Sequence, residues 1–245
     1  MQLTNHKIII TGATRGIGLA LVKKLHALGN EIIAVARNKE LLEGLKNEYK
    51  GLTSIAADLS DKQSVDNLIS ILKREHADAN MLINNAGIQV NFYDKNFGQE
   101  PERIDEWKDE INVNFIAPIE LTHALITTLM QNENPTIINV SSVLAVVPKK
   151  SAPIYCATKA GLHIFTKALR YEYENTKLKI FEILPPLVDT DMTEGRGKGK
   201  ITPDQLVEEF LKSFSADCYE VNIGKTKIIR LLQRVFPKVA DGLLK

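Results

Sequence analysis

Short, continuous apolar runs alternate along the chain with longer stretches in which apolar residues recur at helical spacing. Ile8–Ile10, Glu31–Ala36, Leu52–Ala57, Met81–Ile83, Thr136–Val140 and Lys179–Leu184 read as buried strands, rich in β-branched residues. Between them, Leu19, Ala20, Val22 and Leu25 open a first helix, which ends near Gly29-Asn30. Lys39–Tyr49 carries Leu41, Leu42 and Leu45 on one face, and Lys62–Glu75 carries Val65, Leu68, Ile69 and Leu72. Trp107 and Ile111 lead a long helix through Leu129, and Tyr155–Lys159 open another that runs through Phe165, Leu169 and Tyr173. Strands and helices in alternation predict an α/β fold, a doubly wound parallel sheet with helices on both faces.

Composition bounds this picture. At 245 residues with 44% hydrophobic and 25% charged residues, the chain reads as one globular domain over 1–245. A net charge of +1 gives no electrostatic case for a nucleic-acid partner. Cys156 and Cys218 have neither metal-ligand spacing nor the density of a disulfide framework, and the five histidines, His123 and His163 among them, show no metal spacing. No metal is expected. No apolar run is long enough to span a bilayer and no leader pattern opens the chain, so a cytoplasmic location is expected.

The first strand runs into Thr11-Gly12-Ala13-Thr14-Arg15-Gly16-Ile17-Gly18 and then a helix. Strand, glycine turn and helix start in that order make an anion site: free N–H groups and the positive end of the helix dipole point at one place. The glycine spacing departs from the common dinucleotide fingerprint, and a glycine turn without a ligand is the bland alternative. Ala36-Arg37 closes the second strand, where an acidic residue would select NAD and an arginine would hold a 2′-phosphate. Arg15 lies on the same side. Two guanidiniums and no carboxylate favour NADP(H) over NAD(H), unless both are merely solvated. Asn84-Asn85-Ala86-Gly87 ends the fourth strand with small and amide residues suited to close contact with a cofactor. Asn114, among apolar helical neighbours, needs buried partners. Ser141-Ser142 ends the fifth strand, and Tyr155 and Lys159 share a helix face.

Thr11-Gly12-x-x-x-Gly16-Ile17-Gly18, Asn84-Asn85-Ala86-Gly87, Ser142 and Tyr155-x-x-x-Lys159 together resemble the short-chain dehydrogenase/reductases over about residues 5–192. With Ile88-Gln89, Ala117-Pro118-Ile119 and Leu184-Pro185-Pro186, the chain is most similar to the branch named for DltE, from clusters for D-alanylation of lipoteichoic acid. The resemblance implies a Rossmann fold and an oxidoreductase transferring a hydride between NADP(H) and a carbonyl or alcohol carbon. It implies Asn114, Ser142, Tyr155 and Lys159 as the catalytic set. Tyr155 would exchange a proton with the substrate oxygen, its phenol lowered from about 10 by the Lys159 ammonium. Ser142 would hydrogen-bond that oxygen, Lys159 would also hold the nicotinamide ribose, and Asn114 would position a relay water. Cofactor contacts are implied at Gly12, Thr14, Arg15, Gly16, Ile17, Gly18, Arg37, Asp58, Leu59, Asn85, Ala86, Gly87, Tyr155, Lys159, Pro185, Val188 and Thr190. Pro185-Pro186 replaces the family's usual Pro-Gly and stiffens that border. Cys156 beside Tyr155 has no neighbouring base, so it reads as a small buried residue rather than a nucleophile.

Residues 192–245 are read as a substrate loop and variable C-terminal helices. Thr193–Lys200 is glycine-rich and basic, either a solvated loop or a segment that meets an anionic substrate. Thr202-Pro203-Asp204 starts a helix. From Lys225, the apolar stripe Ile228, Leu231, Leu232 and Val235 opposes Lys227, Arg230 and Arg234 until Pro237. Packing against the protein's own body or a partner subunit is the expected fate, with peripheral membrane contact as the alternative. A homodimer or homotetramer through the helices of Asn114 and Tyr155 is implied by resemblance. The rival function is an NADP(H)-binding sensor or scaffold without turnover, near the cell envelope; the complete Asn114, Ser142, Tyr155 and Lys159 set speaks for catalysis on a small carbonyl or alcohol substrate.

Overall fold

The structure, a computed structural model, describes residues 1–92 and 99–244. Strands β1 (Lys7–Thr11), β2 (Glu31–Ala36), β3 (Thr53–Ala56), β4 (Met81–Asn84), β5 (Thr136–Val140), β6 (Lys179–Leu184) and β7 (Glu220–Asn222) form one sheet in the order β3-β2-β1-β4-β5-β6-β7. Every pairing is parallel. Six of these strands were expected, whereas β7 has only three residues at the sheet's edge and too short an apolar run to show.

Alternation along each strand builds the two faces. Ile8, Ile10, Ile32 and Ala34 enter one core layer, and Ile9, Ile33 and Val35 enter the other. Helices α1 (Gly16–Ala27), α2 (Lys39–Glu48) and α7 (Pro203–Ser215) contribute to the first layer through residues such as Leu21, Leu42 and Phe210. Helices α3 (Lys62–Glu75) and α5 (Ala117–Leu129) contribute to the second through Leu68 and Leu125. Parallel strands buried on both faces explain the near-continuous apolar runs.

A polar seam crosses this apolar interior beside the strand ends. Asn84 Nδ2 donates to Asn139 Oδ1 at 2.8 Å and to Thr122 Oγ1 at 3.2 Å, and Asn139 Nδ2 donates to Thr166 Oγ1 at 2.8 Å. All four residues are buried. The seam ties β4 and β5 to α5 and to α6 (Pro153–Glu172), which fixes the helix carrying Tyr155 against the sheet.

Two expectations change. The long helix begins as α4 (Ile104–Ile111), widens into a π-helical turn at Asn112–Ile116, and continues as α5. Asn114 sits in that turn, its side chain directed inward; such insertions cluster at functional sites. The C-terminal stripe, on α8 (Thr226–Val235), is not covered by the protein's own body: Ile228, Leu231 and Val235 are exposed, as are Phe236 and Val239 at and after the turn into α9 (Pro237–Leu244). Of the expected loop at Val90–Pro101, 93–98 lie outside the described residues. Among the described residues, no helix is long and apolar enough to cross a membrane.

Candidate functional site

β1 and β4 are neighbours in the sheet although five elements of sequence separate them, so their carboxyl ends flank the point at which strand order reverses. Crevices form at such points. The glycine turn leaves β1 and Asn85–Gly87 leaves β4, and the two lock together. Asn85 Nδ2 donates to the carbonyl oxygens of Thr11 at 2.9 Å and Gly12 at 3.2 Å, while the N–H groups of Asn85 and Ala86 both donate to Thr11 Oγ1 at 3.0 Å. The Asn85 side chain therefore braces the turn.

The turn is shaped for close approach. Gly12 and Gly16 have φ of +65° and +52°, a conformation that disfavours side chains. A Cβ on Gly12 would come within 2.9 Å of Ala86 Cα, one on Gly16 within 2.9 Å of Thr190 Cγ2, and one on Gly18 would collide with the Gly12 carbonyl oxygen. Arg15 precedes α1 without a side-chain cap, which leaves the first N–H groups of that helix for an outside acceptor. These features fit a pyrophosphate. Two exposed guanidiniums border the cradle: Arg37 lies 3.9 Å from Asp58 at the ends of β2 and β3, and Arg15 lies 3.4 Å from Asp191. Asp58 also accepts from Ser60, and Leu59 beside it is buried. Thr14 and Ile17 are half-buried in the turn.

On the far side of the crevice, Ser142 follows the end of β5, and its Oγ accepts from the Leu144 N–H at 3.1 Å. The Tyr155 hydroxyl lies beside Ser142, whose side chain favours the phenolate. Lys159, one turn along α6 and buried, holds its Nζ 5.7 Å from the Tyr155 ring centroid and donates to the Val140 carbonyl at 2.9 Å. Asn114 donates to the Ile88 carbonyl at 2.8 Å and to Thr158 Oγ1 at 3.3 Å, and its Oδ1 accepts from the Ile88 N–H at 2.9 Å. It thereby clamps the chain just after Gly87. A Cβ on Gly87 would lie 3.3 Å from Asn114 Oδ1 and 3.5 Å from Lys159 Nζ, so the amide oxygen and the ammonium share one wall. Pro185 and Val188 are buried on the opposite border, where the Pro185 carbonyl accepts from the Val143 N–H at 2.9 Å. The four residues Asn114, Ser142, Tyr155 and Lys159 come together as one cluster beside the glycine cradle.

Burial dominates the titration of this cluster. It pushes the Tyr155 phenol up to about 12, against the pull of Ser142, and pushes Lys159 down to about 8, against the buried carboxylates Glu110 and Glu182. The expected lowering of the phenol by Lys159 does not appear: desolvation sets the direction of the shift. Burial also raises the Cys156 thiol, which leaves it a poor nucleophile.

Four ionisable groups near the cluster had no sequence signal. Glu110 is buried one turn before Asn114, accepts from the Val90 N–H at 3.2 Å, and is pushed up to about 7 by burial. It hides in a segment crowded with surface charges, Asp105, Glu106, Lys108 and Asp109. His163, one turn beyond Lys159, meets Glu182 of β6 at 2.8 Å, and Glu220 of β7 lies close by. Each carboxylate there already has a protein partner, His163 for Glu182 and Arg230 for Glu220.

The short chain dehydrogenase family model matches residues 6–200. The chain is 34% identical over 236 residues to an uncharacterized oxidoreductase, DltE, of Bacillus subtilis strain 168, covering 94% of this chain and 92% of that one. Among solved structures, a short chain dehydrogenase from Burkholderia cenocepacia in complex with NADP is 25% identical and superposes with a TM-score of 0.86 over 100% of this chain and 99% of that one. A short chain dehydrogenase/reductase from Burkholderia phymatum in complex with NAD, at 18% identity and a TM-score of 0.80 over 96% of each chain, shares the fold.

Proposed function

From the premise that the chain belongs to the short chain dehydrogenase family, as an oxidoreductase of the DltE-like branch, we propose that it is an NADP(H)-dependent carbonyl reductase. The observation that carries this reading is the cluster in which Tyr155 lies beside Ser142 with the Lys159 ammonium 5.7 Å from its ring centroid. NADP(H), when bound, supplies the hydride.

The chain's own residues do the rest. The Gly12–Gly18 turn and the start of α1 bind the pyrophosphate, with Thr14, Ile17, Ala86 and Gly87 close against the dinucleotide. Arg15 and Arg37 take the 2′-phosphate, which favours NADP(H) over NAD(H), while Asp58 and Leu59 border the adenine. Pro185, Val188 and Thr190 line the nicotinamide end. Ser142 donates to the substrate oxygen, and Tyr155, a phenol at neutral pH, gives that oxygen its proton. Lys159 holds positive charge beside the ring and reaches the ribose hydroxyls, and Asn114 fixes the wall and a relay water. A phenol so firmly protonated suits an acid, which favours the reductive direction.

The same reading makes the protein cytoplasmic and a homodimer or homotetramer. Ile116 on the π-helical turn and Ile164 and Tyr171 on α6 are left exposed where a second copy would cover them. NADPH consumption across a panel of aldehydes and ketones tests the proposal: turnover of at least one is expected, and NADPH binding without turnover of any would contradict it.

A further inference from the structure

The Thr193–Lys200 segment is not simply a solvated loop. Lys200 is tied to Asp189 at 3.0 Å and to the Thr193 carbonyl at 2.7 Å, while Arg196 turns inward and is half-buried. Arg196 Nη1 donates to Gln89 Oε1 at 2.9 Å. With the Asn91 amide oriented so that its oxygen faces the guanidinium, Asn91 accepts from Nη1 at 3.1 Å and Nη2 at 2.8 Å. Gln89 stands two residues after Gly87, which borders Lys159 Nζ, and Ile88 between them is clamped by Asn114. The guanidinium is thereby tied to the segment that borders Lys159 and Asn114.

Its partners there are unusual for a half-buried cation. Among the described residues, the side chains that hold Arg196 are neutral amides, so its charge is oriented but not neutralised. Desolvating a charge without a counter-charge is costly, and an arginine fork matches a carboxylate in shape as well as sign. Among the described residues, that leaves one positive charge to answer one negative charge.

We infer that Arg196, aimed by Gln89 and Asn91, seats a carboxylate of the substrate, so that the preferred substrates are oxo acids and the products hydroxy acids. This rests on the proposed reductase reading. The carbonyl carbon gains the hydride, the carbon–oxygen π bond opens, the oxygen takes the Tyr155 proton, and NADPH leaves as NADP+. The guanidinium pairs with the carboxylate and takes no part in the proton transfer.

Matched probes test it. NADPH-linked reduction of phenylglyoxylate, acetoacetate and levulinate is compared with that of their methyl esters, in the wild type, Arg196→Gln and Arg196→Lys. At least one acid should exceed its own ester in kcat/KM by about 10-fold or more, a ratio that falls toward one in Arg196→Gln through KM and is partly kept in Arg196→Lys. Esters equal to or better than all three acids, or a ratio indifferent to Arg196→Gln, would overturn the inference while leaving the reductase reading intact. If no carbonyl of either kind is reduced, that reading fails instead, and calorimetry on the NADPH complex decides about Arg196. Phenylglyoxylate binding that Arg196→Gln abolishes upholds the seat, and absence of binding by all three acids overturns it.

Discussion

Lys159 donates its ammonium to the Val140 carbonyl oxygen at 2.9 Å, in a pocket so buried that the amine is pushed down to about 8. Glu110 of α4 and Glu182 of β6 oppose that shift with their negative charge. A lysine lowered in this way loses its proton near pH 8 instead of near its ordinary value. Carbonyl reduction is therefore expected to hold level around neutral pH and to fall above about pH 8 as the charge beside Tyr155 is lost. Removing the Glu110 charge lets burial act with less opposition, so Glu110→Gln should move the falling limb to lower pH. A pH–rate profile of kcat/KM checks both, and a limb unmoved in Glu110→Gln would break the link between these residues.

Glu110 should also set a pH dependence of stability. Its folded value, about 7, lies above the ordinary glutamate value of 4.5, so the folded chain holds the proton more tightly than the unfolded chain. Between those values the unfolded state binds fewer protons, and stability falls as pH rises. The loss is complete above about pH 7 and amounts to at most about 3 kcal/mol. Glu110→Gln, which can still accept from the Val90 N–H, should be more stable than the wild type at pH 8 and gain little at pH 4. Urea unfolding at the two pH values measures this, and an equal gain at both would contradict it.

Gly18 tests the cradle itself. Its added Cβ would collide with the Gly12 carbonyl oxygen and lie 2.6 Å from Asn85 Nδ2, both parts of the lock between the β1 and β4 ends. Backbone cannot yield as a flexible side chain can. Gly18→Ala should destabilise the protein by about 2 kcal/mol or more and weaken NADPH binding at least 10-fold. Unchanged binding in a folded Gly18→Ala protein would mean that the turn does not hold the dinucleotide.

On the proposed reading, cofactor choice falls to Arg37 and Arg15, which are exposed and only loosely paired with Asp58 and Asp191. Arg37→Ala should lose about 10- to 100-fold in NADPH affinity and little in NADH affinity, since only the 2′-phosphate distinguishes the two. Fluorescence titration with both nucleotides measures the preference. No loss of preference in the Arg15→Ala, Arg37→Ala double variant would overturn the assignment.

Much of this architecture was legible because parallel strands buried on both faces cannot hide their apolar runs, as Ile8–Ile10 and Glu31–Ala36 show. Tyr155 and Lys159 were placed on one face by helical spacing alone, and the structure sets them beside Ser142. The π-helical turn at Asn112–Ile116 was not legible, because it depends on the inward reach of Asn114 to Ile88, a contact 26 residues away along the chain. Glu110 and Arg196 were hidden for another reason. A lone charged residue in a charged segment looks solvated until folding buries it, and no local pattern separates Glu110 from Asp109, or Arg196 from Lys198. The exposed stripe of α8 shows the converse, since amphipathic spacing tells that a face is apolar without telling what covers it.

Single-turnover transfer of deuterium from 4-deuterated NADPH to a carbonyl substrate found in the panel, compared between the wild type and Tyr155→Phe, tests the central claim most directly. The account predicts deuterium on the former carbonyl carbon, and a rate about 10²- to 10⁴-fold lower in Tyr155→Phe with NADPH affinity kept. Equal transfer rates in the two proteins would contradict it.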